Sequence, residues 1–402
     1  MAANSADTLI VAQSGGPTPV INASLAGVLH AARKSRRIGR VYGLINGLEG
    51  AVRDNVIDLG QEPAQTIDRL LDTPAAILGS GRYRVAASDY ARIISTFQSY
   101  GVGYFINIGG NGSMAVTHTL AQEARQLGYD LAVIGVPKTI DNDLVETDHA
   151  PGYGSAARFL ALATRDTGRD LESMVNFDDV IILEAMGRDA GWLAAAAGLG
   201  KVDRDEAPHL IYVPEIPFDP DQFLADVAAL HRRLGRVFVV VSEGLRSADG
   251  QFIGRPTPTD PMGQAVHSLT TGVSTYLVDL VREKLHLQAR TLRPGLIGRA
   301  MSVCVSPVDR QEAYQVGWDA VNRVVAGQDE RMVVIRRVSN EPYRIELGTI
   351  PLIDVAGRAK AMPRDFMNAA GTMISPAFVD YALPLIGGAL PPLARLKRSA
   401  KL

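Results

Sequence analysis

The chain carries a single cysteine, Cys304, among 402 residues. One cysteine excludes an intrachain disulfide and a thiolate metal cluster. Its setting, Met301-Ser302-Val303-Cys304-Val305, predicts a small apolar core residue. Long apolar runs are missing: nothing approaches the roughly 18 residues of a membrane span. The N-terminal Met1-Ala2-Ala3-Asn4-Ser5-Ala6-Asp7 has no basic region ahead of Leu9-Ile10-Val11-Ala12, so a signal peptide is not expected. An excess of one charge is missing too. Lys and Arg number 41 against 43 Asp and Glu, a formal net charge of -2, which leaves no broad basic surface for nucleic acid. There is no internal repeat, no low-complexity linker and no G-x-x-x-x-G-K-[ST] motif. What is present is an ordinary globular composition, 47% apolar and 21% charged, with enough chain to bury a substantial core. The expectation is a cytoplasmic enzyme with no membrane and no nucleic-acid partner.

Short apolar runs alternate with helical patterns. Leu9–Ala12, Tyr104–Ile108, Leu131–Val136, Val180–Leu183, Leu210–Val213 and Val237–Val241 read as buried strands. Ile21–Lys34, about Ser113–Leu127 and Gln222–Leu234 read as helices between them. Such alternation predicts an α/β protein with largely parallel sheets flanked by helices. Ligands of such sheets bind beyond the carboxyl ends of the strands. Pro342–Pro363 reads as short strand-like pieces and turns. The last residues, Pro391-Pro392-Leu393-Ala394-Arg395-Leu396-Lys397-Arg398, read as a basic surface terminus.

Five polar segments follow strands. Gln13-Ser14-Gly15-Gly16-Pro17-Thr18-Pro19 is either a tight turn or a cradle for an anion at a helix start. Gly109-Gly110-Asn111-Gly112-Ser113 has the same placement. Gly110 to Ala115 also satisfies the dinucleotide pattern G-x-G-x-x-G/A. The following acid, Asp130, precedes the next strand instead of ending it, which speaks against nicotinamide or flavin. Val136-Pro137-Lys138-Thr139-Ile140-Asp141-Asn142-Asp143 sets one cation and two carboxylates within six residues. This suits a polar turn, or a general base beside a phosphate-neutralising lysine and a Mg²⁺ ligand. Glu184-Ala185-Met186-Gly187-Arg188 and Val241-Ser242-Glu243-Gly244 end two further strands. Their Arg and Glu suit a phosphate and a sugar hydroxyl, or a surface Arg and a helix cap.

Taken together the segments are far more specific than any one of them. Ser14-Gly15-Gly16-Pro17, Gly79-Ser80-Gly81-Arg82, Gly109 to Ser113, Pro137 to Asp143, Met186-Gly187-Arg188-Asp189-Ala190-Gly191-Trp192, Pro214-Glu215-Ile216-Pro217-Phe218 and Ser242-Glu243-Gly244 resemble, in order, the phosphofructokinase family. Lys138, Ala190-Gly191-Trp192 and Met362-Pro363-Arg364-Asp365-Phe366 look most like the bacterial pyrophosphate-dependent members. The resemblance implies transfer of a phosphoryl group from ATP or pyrophosphate to the 1-hydroxyl of fructose 6-phosphate, with Mg²⁺. It implies two lobes with the active site in the cleft between them. Residues 1–152 with about 298–330 would form the donor lobe, 153–297 the sugar lobe, and 331–402 a C-terminal extension packed on both. By the same resemblance Asp141 is the base, Thr139, Lys138 and Arg188 stabilise the transferring group, and Asp143 supports Asp141 and the metal. Gly15, Gly16, Arg82, Gly110, Asn111, Gly112 and Ser113 line the donor site. Met186, Gly187, Glu243, Arg290 and Arg299 hold the sugar phosphate. A homodimer or homotetramer is implied, because family sugar sites borrow basic residues from a neighbour.

Several positions depart from that pattern. Asn111 stands where ATP-dependent members have a Mg²⁺-coordinating Asp, so Mg²⁺ would fall to its amide oxygen and to Asp143, directly or through water. Gly112 stands where pyrophosphate-dependent members have an Asp that blocks a nucleotide's inner phosphate. The expected donor is therefore ATP, with pyrophosphate the alternative. Asp179 replaces a basic residue, Leu296 and Gly298 replace polar residues ahead of Arg299, and Asp189 stands where His is common. These changes keep open a kinase of another ketose phosphate or polyol. A phosphometabolite-binding regulatory protein is a further alternative.

Overall fold

Six buried residues in succession make β1 (Thr8–Gln13) a central strand, covered on both faces. The computed structural model describes residues 7–81, 83–174, 177–254 and 272–396. The strands that follow are β2 (Arg40–Leu44), β3 (Val56–Asp58), β4 (Val102–Gly109), β5 (Ala132–Pro137), β6 (Val180–Ala185), β7 (Leu210–Tyr212), β8 (Val237–Ser242), β9 (Ala289–Leu292), β10 (Arg331–Asn340) and β11 (Tyr343–Pro351). They form two sheets, ordered β11-β10-β5-β4-β1-β2-β3 and β7-β8-β6-β9. The smaller sheet is wholly parallel. The larger one is parallel through its middle, with antiparallel β2–β3 and β10–β11 pairs at its margins.

The strand–helix alternation holds, and two differences from the sequence reading matter. The helix after β4 begins at Asn111, earlier than Ser113, so the donor loop runs directly into its first turn. Arg331 to Pro351 is no separate extension: β10 pairs with β5 and carries β11, adding two strands to the first sheet. The buried run Met332 to Ile335 explains it, since four consecutive apolar side chains need cover on both faces.

Helix Ile21–Lys34 crosses helix Pro307–Val325 closely. A Cβ on Gly27 would meet the Tyr314 carbonyl oxygen at 2.1 Å, and one on Gly317 would meet that of Ser24 at 2.0 Å. Two glycines therefore set this crossing distance and bind the late helix to the first lobe. Asp309 of that helix accepts from the backbone N–H groups of Gly152 (2.8 Å) and Ser155 (2.9 Å). It thereby caps helix Tyr153–Ser173, placing an acid at a helix N-terminus.

Cys304 differs from expectation. It is half-buried in a surface 3₁₀ turn beside Val303, which is 85% exposed. A short, mostly apolar run does not make a core when a single turn carries it. Arg395 of the basic terminus is tied down by Glu172 and Glu206, at 3.0 and 2.7 Å. Lys397 and Arg398 lie outside the described residues.

Candidate active site

Three adjacent strands of the larger sheet, β5, β4 and β1, end side by side and aim their following loops at one place. Backbone bonds fix the loops to one another. Ser14 N–H donates to Ile108 O (2.9 Å) and Lys138 N–H to Gly109 O (3.0 Å). Buried Asn107, on β4, accepts from the Ser14 hydroxyl (2.8 Å) and donates to Thr117 (2.8 Å). Sequence reading missed Asn107. A polar residue inside an apolar strand, at Ile106-Asn107-Ile108, was the signal available.

The first loop turns at Gly15, whose φ of 77° favours glycine. Lys138 is 3% exposed and its ammonium donates to the Gly16 carbonyl (2.8 Å). The cation therefore sits over the Gly15–Gly16 turn. Burial lowers its pKa to about 8, against the pull of Asp141 and Asp143. In the second loop Gly110 precedes the helix, so the N–H groups of Asn111, Gly112 and Ser113 belong to its first turn. These lack helical partners and suit phosphate oxygens. A Cβ on Gly112 would touch nothing within 4 Å.

The third loop is the most heavily built. Thr139 N–H donates to Pro151 O (3.2 Å), and Asp141 N–H donates to the Thr139 hydroxyl (3.1 Å). Asn142 is fully buried with φ 54°. Burial, reinforced by Asp143 and Glu243, pushes the Asp141 carboxyl up to about 7, while Lys138 and Arg299 oppose the shift. Burial also raises the Asp143 pKa. Asn111 donates its amide N–H to Asp143 Oδ2 (2.9 Å), leaving its own Oδ1 buried without a hydrogen-bond partner.

The smaller sheet supplies the opposite wall from the ends of β6 and β8. Glu243 N–H donates to Ala185 O (3.0 Å). A Cβ on Gly244 would fall 1.6 Å from the Arg188 carbonyl oxygen, so only glycine lets the two loops press together. Gly187 N–H approaches Glu243 Oε1 at 3.4 Å. Met186 packs with the core under the loop.

Most of the expected site is thus brought together: Gly15, Gly16, Gly110, Asn111, Gly112, Ser113, Lys138, Thr139, Asp141, Asp143, Met186, Gly187, Arg188 and Glu243. Arg82 lies outside the described residues. Arg299 reaches the donor loop: a Cβ on Gly16 would lie 3.0 Å from its Nη1. Arg290 is not in this cleft of its own chain. It pairs with Asp178 (3.1 Å) near the start of β6, because β9 aligns it with Ile181, well before the strand's carboxyl end. Arg293, three residues later, reaches that end and pairs with Glu184 (3.2 Å). Asp179 is used locally, accepting from His231 (3.1 Å) and Gln288 N–H (2.8 Å). Asp189 pairs with Arg246 at 3.3 Å. Leu296 is 62% exposed.

A family model described as phosphofructokinase matches residues 8–324. A pyrophosphate–fructose 6-phosphate 1-phosphotransferase of Rhodospirillum rubrum is 38% identical over 394 residues, 97% of this chain and 96% of the relative. A sulfofructose kinase of Alkalicoccus urumqiensis is 36% identical, over 89% of this chain and 91% of the relative. Among solved structures, a pyrophosphate-dependent phosphofructokinase from Nitrosospira multiformis superposes with a TM-score of 0.86 at 38% identity. It covers 98% of this chain and 95% of that one.

Proposed function

Because this chain belongs to the phosphofructokinase family, and is therefore a phosphotransferase acting on a sugar alcohol group, we propose that it carries a phosphoryl group from ATP to the 1-hydroxyl of fructose 6-phosphate. The observation that carries this reading is the Lys138–Asp143 loop, in which buried Lys138 sits over the Gly15–Gly16 turn and burial raises the Asp141 carboxyl to about 7. A base poised near neutrality can take the proton of the attacking hydroxyl. Lys138 and Arg188 neutralise charge on the phosphoryl oxygens, Arg299 binds the sugar phosphate, and the first-turn N–H groups at Asn111 to Ser113 hold the donor. Glu243 and Gly187 contact the sugar.

The orphaned Asn111 Oδ1 beside the Asp143 carboxylate is a hard-oxygen pair that fits Mg²⁺. Those two residues would hold it, and when bound it neutralises charge on the donor phosphates. Among the described residues no cluster of three or more His, Cys, Asp or Glu forms a metal site. That suits an ion held mainly by substrate and water.

The open space at Gly112 favours ATP. The relatives named for pyrophosphate favour that donor as the second reading. Asp179, Leu296 and Gly298, with a relative named sulfofructose kinase, favour a different ketose acceptor as the alternative substrate. A homodimer or homotetramer remains part of the proposal. Arg290 is half exposed beside Asp178, which supports a role at a neighbour's site. Among the described residues no helix is long and apolar enough to cross a membrane. A matrix of ATP, ADP and pyrophosphate against fructose 6-phosphate and other ketose phosphates, with product detection, tests the reading. Turnover with pyrophosphate and none with ATP overturns the donor assignment. Turnover only on another ketose overturns the acceptor.

A further inference from the structure

Fully buried Asn142 lies between the two carboxylates, Asp141 and Asp143, that the phosphotransfer reading uses. Its backbone is in the left-handed region, φ 54°, which asparagine tolerates better than most residues, and its buried side-chain amide needs hydrogen-bond partners. The holding groups are distant in sequence. Asn142 donates its amide N–H to the Tyr381 hydroxyl (2.9 Å), and that hydroxyl donates to Asp148 O (2.8 Å). Asn142 Oδ1 accepts from Ala150 N–H (3.1 Å). Lys360 N–H donates to Asp143 O (2.7 Å). The Lys360 ammonium donates to the carbonyls of Thr147 (3.0 Å) and Asp148 (2.8 Å). Its ammonium lies over the Trp192 ring, 5.1 Å from the centroid, and Tyr381 packs on the same indole at 5.4 Å.

Both residues come from the last part of the chain, beyond the residues 8–324 that match the family model. We propose that Tyr381 and Lys360 are positioning residues that hold the 139–150 loop so that Asp141 faces the acceptor hydroxyl. Neither touches the reacting groups. They act by satisfying the loop's own polar groups: one side-chain amide and three backbone carbonyls, those of Asp143, Thr147 and Asp148. Without them these groups would be buried unpaired or would draw in water, and the loop would relax. The inference rests on Asp141 being the base, so its test needs a readout that survives if that reading fails.

Tyr381→Phe keeps the ring against Trp192 and Phe366 and removes only the hydroxyl. Lys360→Met keeps the aliphatic stem and removes the ammonium, and it serves if the first variant does not fold. Tyr129→Phe is the control, removing a hydroxyl that donates to the Val102 carbonyl at the far end of the larger sheet. The expected result is a fall in kcat of about tenfold, the worth of roughly one hydrogen bond. KM for donor and acceptor should stay within about twofold. Amide hydrogen exchange of residues 139–150 should speed up in the two loop variants and not in Tyr129→Phe. Exchange and kcat that match the Tyr129→Phe control overturn the proposal, as does a loss expressed in KM alone. If exchange speeds up while the unaltered protein phosphorylates no sugar, the clamp stands and the catalytic reading of Asp141 falls.

Discussion

Gly110–Ser113 follows β4 and Lys138–Asp143 follows β5, the strand beside it, and the two loops are built in opposite ways. The first carries no charge, and open space adjoins Gly112. The second is sunk in protein, with a buried cation, two raised carboxyls and a buried left-handed asparagine. The difference follows the division of labour. A proton acceptor needs an environment that tunes its pKa, and only burial and fixed neighbours supply it. A phosphate cradle needs backbone N–H groups and room. On the proposed function, the buried loop would set whether the chemistry runs and the open loop which donor enters.

The strongest way to break this comparison is to remove the base. Asp141→Asn is expected to lower kcat by 10²–10⁴-fold with KM nearly kept, read by steady-state kinetics. Near-normal turnover would move the chemistry elsewhere. Next comes Gly112→Asp in the open loop. It should cut ATP turnover by about tenfold or more through a clash and like-charge contact, with pyrophosphate turnover spared. Equal losses with both donors would show that the space at Gly112 does not select.

A pH titration sharpens the contrast without a mutation. If Asp141 is the base it must be ionised to accept a proton, and with burial pushing its carboxyl up to about 7 kcat should climb with pH through neutrality and flatten above about 8. A flat profile from pH 5 to 8 would contradict a tuned base. The same loop has a stability signature. His149, between Asp148 (2.7 Å) and Glu312 (2.6 Å), is raised to about 9 because these carboxylates outweigh its burial. A histidine raised in the folded state contributes stability that is full below its unfolded value, about 6.5. That stability drains as pH rises through 9. Thermal melting should therefore fall across pH 7 to 9.5, and His149→Gln should flatten that slope. The smallest effect is expected of Gly112→Ala. Its Cβ meets nothing within 4 Å, so unfolding free energy should stay within about 0.5 kcal/mol in urea titration. A larger loss would mean the open loop is as constrained as its neighbour.

Much of this was legible in the sequence because it is local. Alternating apolar runs and helical patterns determined the parallel sheets, and polar segments just past the strands marked the site, since strand ends are where such sheets expose backbone donors. Lys138 to Asp143 could be read as one unit because six consecutive residues share one loop. Tertiary structure alone decided the rest. Arg290 and Arg293 stand three residues apart with the same side chain, and only the register of β9 against β6 sends one to Asp178 and the other to Glu184. The length of the larger sheet depended on β10 finding β5, a pairing no local pattern encodes. Tyr381 and Lys360 look like ordinary residues in their own segments. Their proposed role arises only because the folded chain carries them to the carbonyls of a loop formed more than two hundred residues earlier, and the raised pKa of Asp141 likewise comes from burial that exists only in the folded chain.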